Sequence, residues 1–134
     1  MRISVDTNVL VRAVLQDDAA QAGVATRTLN QASLIAISLP CLCELVWILR
    51  KGAKLSRAEV AQAIRDLLNA AAVVMNRPAV EAGLSMLEAG GDFADGVIAY
   101  EGAWLGGESF VTFDKQAATL LAKQGQHAVL LGVV

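Results

Sequence analysis

Several acidic residues stand where carboxylates from distant parts of the chain could share one cation. Asp6 directly follows the first apolar run, Asp114 follows a later run by one residue, and Asp92 and Asp95 open a helical pattern. Ligands of an open α/β sheet bind outside the carboxyl ends of its strands, so these acids are candidates for one crevice. Two like charges about 4 Å apart cost roughly 4 kcal/mol at an effective dielectric constant near 20. Such a cluster needs a cation, and oxygen donors without nearby histidine or cysteine predict Mg²⁺ or Mn²⁺.

Glu44 is the only charged residue in an apolar segment that runs from position 39 to 49. On a helix its neighbours one turn away are Cys41, Trp47 and Ile48, so we expect it to lie off any ordinary solvated face. A buried carboxylate without a partner is costly or becomes protonated. Two interpretations remain open: Glu44 is a cation ligand, or it caps a neighbouring backbone group or pairs with an arginine.

Asp92 and Asp95 are three residues apart, which places both near one edge of a first helical turn. Asp92 is also an ordinary N-cap, because aspartate at a helix start is stabilising. Asp95 shares its side of the helix with the small residues Ala99 and Gly102, which allow close approach to a sheet. The opposite side carries a larger apolar stripe that is either core or a surface for partners: Phe93, Val97, Tyr100 and Trp104.

Short apolar runs alternate with longer helical patterns along the chain, which predicts an α/β fold with a largely parallel sheet and a central first strand. The predicted strands are Arg2–Val5, Leu34–Ile37, Ala72–Met75, Ser109–Thr112 and Val129–Leu131. The predicted helices are Asn8–Leu15, Ala19–Gln31, Cys41–Lys51, Arg57–Asn69, Pro78–Ala89, Phe93–Leu105 and Lys115–Gln124. Because the implied loops are short and no linker interrupts the pattern, we expect a single domain over residues 1–134.

Composition excludes several classes of protein. The 134 residues are 55% hydrophobic with a net charge of −2, which argues against disorder, and no apolar run reaches the length of a membrane span. The start of the chain lacks the pattern of a secretory signal, so we expect a cytoplasmic protein. Cys41 and Cys43 point apart on a helix, and with His127 as the one histidine neither a disulfide nor a zinc site is expected. The pI of about 5.3 weighs against nucleic acid as a partner.

Four segments together resemble the PIN-domain family, and within it the VapC-like toxins of toxin-antitoxin pairs. The first runs from Asp6 to Leu10, the second is Cys43–Trp47, the third runs from Asp92 to Ala99, and the fourth is Phe110–Asp114. The resemblance covers essentially the whole chain. It implies a three-layer α/β/α domain around a central, mainly parallel sheet of about five strands.

The resemblance also implies a function, that of a Mg²⁺- or Mn²⁺-dependent endoribonuclease toxin held inactive by a small antitoxin. It makes Asp6, Glu44 and Asp95 the principal acidic residues and Asp114 the fourth, with Asp92 either a further ligand or the helix cap. Asn8 and Thr112 match polar positions that contact substrate or support the ligands. The chain departs from the usual pattern at Phe113 and Gly96. A homodimer is implied, and the candidate contacts to RNA are Arg12, Arg50, Lys51, Lys54 and Lys115.

Other functions remain open from the sequence. The chain could be an RNA-processing or DNA-directed nuclease without an antitoxin, or an inactive PIN-like scaffold. A phospho-acceptor module of the receiver type also places acids around Mg²⁺, but it leaves Glu44 unexplained. No glycine-rich phosphate loop is present, so no nucleotide cofactor is expected.

Overall fold

A computed structural model describes residues 1–132 of the chain, and over that range it contains five strands and seven α-helices. The strands are β1 (Arg2–Ser4), β2 (Leu34–Ala36), β3 (Val73–Val74), β4 (Phe110–Thr112) and β5 (Ala128–Leu130). The helices are α1 (Thr7–Leu15), α2 (Ala19–Gln31), α3 (Leu39–Trp47), α4 (Arg57–Asn69), α5 (Arg77–Glu88), α6 (Phe93–Trp104) and α7 (Lys115–Lys123). The α/β class predicted from the sequence is confirmed.

Contacts between residues divide the chain into two compact units, Met1–Arg77 and the remainder from Pro78 onward. In the first unit, β1, β2 and β3 form a parallel sheet in that order, with Ile35 of β2 opposite Ile3 and Val73. The helices bury leucine and isoleucine side chains, among them Leu10 and Ile64, into the core of this unit. These apolar contacts fix the direction in which each strand leads into its following helix.

The second unit contains a two-stranded parallel sheet in which Val111 of β4 lies opposite Val129 of β5. Its core includes the fully buried Met86 together with Ala99 and Leu121, against which Phe110 packs. The helix α7 connects the two strands, as the rule for parallel neighbours requires. Asp114 follows β4 after one residue and is the N-cap at which the chain turns into α7.

Local signals account for several helix boundaries. Ser56 and Glu59 form the predicted capping box of α4, in which the Glu59 backbone N–H donates to the Ser56 hydroxyl at 3.1 Å and the Ser56 backbone N–H donates to the Glu59 carboxylate at 3.0 Å. Gly90 has a φ of +100°, which suits glycine just after the end of α5. The observed helices therefore begin and end within two residues of the predicted positions, with one exception.

The exception is the predicted helix Cys41–Lys51. The α-helix ends at Trp47, and Ile48–Gly52 continue as a wider π-helical turn closed by the Ala53 N–H, which donates to the Ile48 carbonyl at 2.9 Å. The Arg50 guanidinium donates to the Leu55 carbonyl at 3.0 Å just beyond this turn. Periodicity does not separate a π-turn from an α-helix, because both keep the apolar residues on one side.

The sheet also differs from the prediction. The five strands are divided between a three-stranded and a two-stranded sheet, and β2 is the central strand of the first one. In this three-stranded sheet the first strand is not central but lies at the edge, where β1 pairs with β2. In the described part of the chain, no helix combines the length and apolar character needed to cross a bilayer.

Candidate functional site

Asp6 occupies the N-cap position of α1 but does not act as a cap. Its backbone is extended, with φ −77° and ψ 154°, as is usual for an N-cap residue. Within the described residues its carboxylate accepts no capping hydrogen bond, and the side chain is exposed. The carboxylate at the end of β1 is therefore free of the local structural task that aspartate usually performs at this position.

Thr7 connects Asp6 with Glu44 in the first unit. Its side chain is buried, and its hydroxyl lies 3.3 Å from Oε2 of Glu44 and 3.7 Å from the Cys41 sulfur. The hydroxyl has one proton, and the carboxylate is the better acceptor because it is charged. Thr7 thus orients Glu44 across 37 positions of sequence. Apart from the motif Asp6-Thr7-Asn8, no sequence signal points to this role.

The prediction that Glu44 lies off a solvated face was wrong. Glu44 is exposed, and so is Trp47, with 65% of its surface accessible. The residue types around Glu44 misled the prediction because one of the apolar neighbours projects into solvent instead of into the core. The carboxylate is therefore accessible to solvent, and its contact with Thr7 gives it a defined place.

The carboxylates of Asp6 and Glu44 both influence the pKa of the Cys41 thiol. Burial raises the pKa of Cys41, the hydrogen bond with Thr7 lowers it, and the negative charges of Glu44 and Asp6 raise it further. Asp6 and Glu44 thus act on the same small region of the unit. Cys41 and Cys43 are both free thiols.

Three acids come together in the second unit. Asp92 caps α6, since its carboxylate accepts a hydrogen bond from the Ala94 N–H at 3.1 Å. Asp114 caps α7 in the same way and accepts from the Ala117 N–H at 3.1 Å. Asp95 lies in the first turn of α6, where it is half-buried and has no capping role.

Partial burial and the neighbouring negative charges raise the pKa of Asp95. Removal from water is the largest cause, and the charge of Asp92 and then that of Asp114 add to it. All three effects oppose the ionised form of the carboxylate. The three acids are therefore close enough to interact electrostatically, and a cation near Asp95 would favour its charged form.

Two glycines position Asp95 by allowing α5 and α6 to pack closely. A Cβ on Gly96 would lie 2.4 Å from the Ala82 carbonyl oxygen, and a Cβ on Gly83 would lie 2.6 Å from the Phe93 ring. Phe93 is fully buried, whereas Trp104 on the same predicted stripe is 78% exposed, so the stripe divides between core and surface. Gly96 adjoins Asp95, and the departure from the usual family pattern at this position therefore has a steric cause.

The remaining predicted site residues have mixed surroundings. Thr112 accepts a hydrogen bond from the Asp114 N–H at 2.9 Å and so supports the turn into α7. Asn8 is exposed and lines an apolar groove between α1 and α2. Among the candidate RNA contacts, Arg12 pairs with Asp17 at 3.2 Å, which leaves the exposed lysines as the more available cations.

The donor types in both units suit a hard divalent cation. Carboxylates of Asp6 and Glu44 in one unit, and of Asp92, Asp95 and Asp114 in the other, supply oxygen atoms of the kind that Mg²⁺ and Mn²⁺ prefer. Among residues 1–132, however, no three histidine, cysteine, aspartate or glutamate side chains are grouped closely enough to hold a metal ion. The residues fit such an ion by chemistry and charge.

Comparison with known proteins identifies one family. The family model described as the PIN domain matches residues 3–121, which is most of the chain and includes the five acids at positions 6, 44, 92, 95 and 114. No curated protein matches the chain.

Proposed function

The chain belongs to the PIN domain family, and we propose on that premise that it is an endoribonuclease that uses Mg²⁺ or Mn²⁺. PIN domains are generally metal-dependent nucleases. One observation favours a particular residue: Asp6 stands at the N-cap of α1 without capping it, two positions after the end of β1. An aspartate that gives up an available hydrogen bond there is well suited to binding a ligand.

We assign the binding of divalent ions first to Asp6 and Glu44 in the first unit and to Asp95 in the second. None of these three carboxylates caps a helix. Asp92 and Asp114 each use Oδ1 in a cap, so their Oδ2 atoms are the ones left for the ion or its hydration shell. When bound, the ion lowers the pKa of a coordinated water and stabilises negative charge on the phosphate.

The proposed reaction is hydrolysis of an RNA phosphodiester. The oxygen of a water molecule bonds to phosphorus, the bond from phosphorus to the 3′ oxygen breaks, and one proton of the water ends on that 3′ oxygen. The products are a 5′-phosphate and a 3′-hydroxyl. Exposed carboxylates in the first unit can take up the proton of the water. Asn8 is exposed in the first turn of α1, and we propose that it contacts the RNA.

The negative net charge is compatible with an RNA substrate. The five carboxylates of the candidate site account for a large share of the 13 acidic residues, and a bound cation offsets part of their charge. The exposed Lys51, Lys54 and Lys115 supply positive charge elsewhere on the surface. Phosphate contacts by such lysines would make binding weaken as salt concentration rises.

The test is cleavage of a mixed pool of cellular RNA by the purified chain with Mg²⁺, with Mn²⁺ and with EDTA. Asp95→Asn removes one proposed ligand, and Asp18→Asn is the matched control because Asp18 caps α2 and asparagine caps equally well. We expect cleavage at discrete sites that EDTA and Asp95→Asn abolish and that Asp18→Asn retains. Equal cleavage by Asp95→Asn, or cleavage of single-stranded DNA in place of RNA, would contradict the proposal.

We further propose that the nuclease is a toxin neutralised by a small antitoxin and that it forms a homodimer. The resemblance to VapC-like toxins supports this role, as do the large exposed apolar side chains at Trp47 and Trp104, which are common at partner surfaces. Expression of the chain alone should arrest growth, and Asp95→Asn should not. Unimpaired growth with active enzyme, or a stable monomer in the ultracentrifuge, would count against the respective part of this proposal.

A further inference from the structure

A cavity of about 290 Å³ lies in the second unit at the amino ends of β4 and β5. It is bounded by α6 and by the loops that precede the two strands. Asp114 follows the opposite, carboxyl end of β4, so this cavity is separate from the acids of the candidate site. Its size is at the lower end of ligand pockets, which span about 300–1,000 Å³, and it therefore suits a small ligand.

Gly102 keeps this cavity open. It lies within α6, and a Cβ at this position would meet no atom within 4 Å. Glycine inside a helix costs about 0.5–1 kcal/mol relative to alanine. Gly96 on the same helix is explained by the backbone of α5, but no packing among the described residues explains Gly102. The missing side chain leaves room that a ligand can occupy.

The lining combines apolar surface with hydrogen-bonding groups but has no lysine or arginine among its described residues. Ala99 and Phe110 are apolar residues of the lining, and Glu108 is its acidic residue. The Ser109 hydroxyl and Nδ1 of His127 are 2.5 Å apart and hold the two loops together. A phosphate would be repelled by Glu108, whereas a flat, neutral ring with N–H donors would be bound by it.

We propose that this cavity binds a nucleobase that carries an exocyclic amino group, with guanine the best match. Guanine presents two neighbouring N–H donors to a carboxylate, whereas the single ring N–H of uracil is flanked by two carbonyl oxygens that a carboxylate repels. The base comes either from single-stranded RNA, in which unstacked bases are read along their edges, or from a free nucleoside. Only the RNA source rests on the proposed ribonuclease function.

The test is a titration of the full chain with guanosine, adenosine, cytidine and uridine. Binding is measured from the NMR chemical shifts of the backbone amides of Gly102, Gly107 and Gly125. We expect guanosine to shift these cavity amides and uridine to bind weakest. Glu108→Gln should weaken guanosine binding by at least about tenfold, because it replaces charged with neutral hydrogen bonds. The matched control Glu101→Gln changes a nearby glutamate that does not line the cavity and should bind normally.

A second variant tests the cavity itself. Gly102→Leu adds a large side chain to the cavity lining at a position where a Cβ meets no atom within 4 Å, and it should abolish binding while the thermal stability is maintained. Gly23→Ala, a helical glycine outside the cavity, is the control. Absence of shifts at these glycines with every nucleoside, or unchanged binding by Gly102→Leu, would overturn the proposal.

Two further arms identify the source of the base and keep the two proposals apart. A short oligoribonucleotide with one central guanosine should bind more tightly than guanosine if RNA supplies the base. If a free nucleoside supplies it, guanosine should shift these amides and the oligoribonucleotide should not. The titration is repeated on Asp95→Asn, which should still bind guanosine. Absence of RNA cleavage by the wild-type chain, with guanosine binding retained, would be a failure of the nuclease proposal alone.

Discussion

Asp6 and Asp114 both follow a strand and both stand at the N-cap of the next helix, yet only Asp114 uses its carboxylate as a cap. Asp6 in the first unit thus has no capping task, while two of the three candidate site acids in the second unit, Asp92 and Asp114, cap helices. Identical residue types in equivalent positions can therefore differ in what they are available to bind.

The two units also position their non-capping acids differently. Glu44 is oriented by a hydrogen bond from Thr7, whereas Asp95 is placed by the close approach of two helices at Gly96. Replacing the Thr7 hydroxyl by a methyl group would therefore remove the hydrogen bond that orients Glu44. Adding a methyl group at Gly96 would instead force α5 and α6 apart and displace Asp95.

The largest effect is expected at Gly96. Gly96→Ala forces a Cβ to within 2.4 Å of the Ala82 carbonyl oxygen, so we expect a loss of about 1–3 kcal/mol in the free energy of unfolding and a displaced Asp95. Gly102→Ala on the same helix meets no atom and should raise stability by about 0.5–1 kcal/mol. Urea denaturation of both variants measures the difference. Equal stabilities would show that close packing does not hold Asp95.

Thr7→Val removes the hydroxyl that orients Glu44 and keeps the shape of the buried side chain. Residues that orient metal ligands change metal affinity by about 10–100-fold, and the 3.3 Å distance places our expectation near tenfold. The Mn²⁺ concentration that gives half-maximal cleavage measures this effect. Thr7→Ser keeps the hydroxyl and should restore wild-type behaviour, and a Thr7→Ser variant as weak as Thr7→Val would refute the positioning role.

Asp114 allows its two roles to be separated. Asp114→Ala removes the cap of α7 and should cost about 1 kcal/mol of stability, within the usual range of 0.5–2 kcal/mol. Asp114→Ser retains a capping oxygen but no charge, so its stability should stay close to wild type while its cleavage falls. Denaturation midpoints and cleavage rates of both variants decide this. Cleavage by Asp114→Ser at the wild-type rate would show that Asp114 serves only as the cap of α7.

The smallest effect is expected at Glu59, which stabilises the start of α4 through the capping box with Ser56. Hydrogen bonds with Ser56 lower the pKa of Glu59, so the ionised form stabilises the folded chain above the usual glutamate pKa of about 4.3. That contribution is lost as the pH falls through the lowered folded-state pKa. Glu59→Gln should therefore be slightly less stable at neutral pH, and the difference should close in acid. A difference independent of pH would contradict this account.

Local signals in the sequence were sufficient to predict most of the fold. The capping box at Ser56, the glycine pair after α5 and the alternation of apolar runs each act over a few residues, so the boundaries of helices and strands could be read directly. The division into two sheets depends on hydrogen bonds between strands far apart in sequence. No local pattern encodes that pairing.

The candidate site was predictable by residue type but not by environment. The four segments that resemble PIN domains lie within the matched residues, and they name the acids. The exposure of Glu44 and the steric need for Gly96 depend on tertiary packing, which residue types alone do not reveal. Whether an aspartate at a helix start caps that helix likewise depends on the rotamer it adopts.

Manganese binding is the most direct test of the claim that the non-capping acids bind the cation. Mn²⁺ is titrated into the wild-type chain, Asp6→Asn and the capping control Asp18→Asn, and free Mn²⁺ is measured by electron paramagnetic resonance. We expect the wild type and Asp18→Asn to bind equally and Asp6→Asn to bind at least about tenfold more weakly with unchanged unfolding. Asp6→Asn that binds Mn²⁺ as tightly as the wild type would contradict the account.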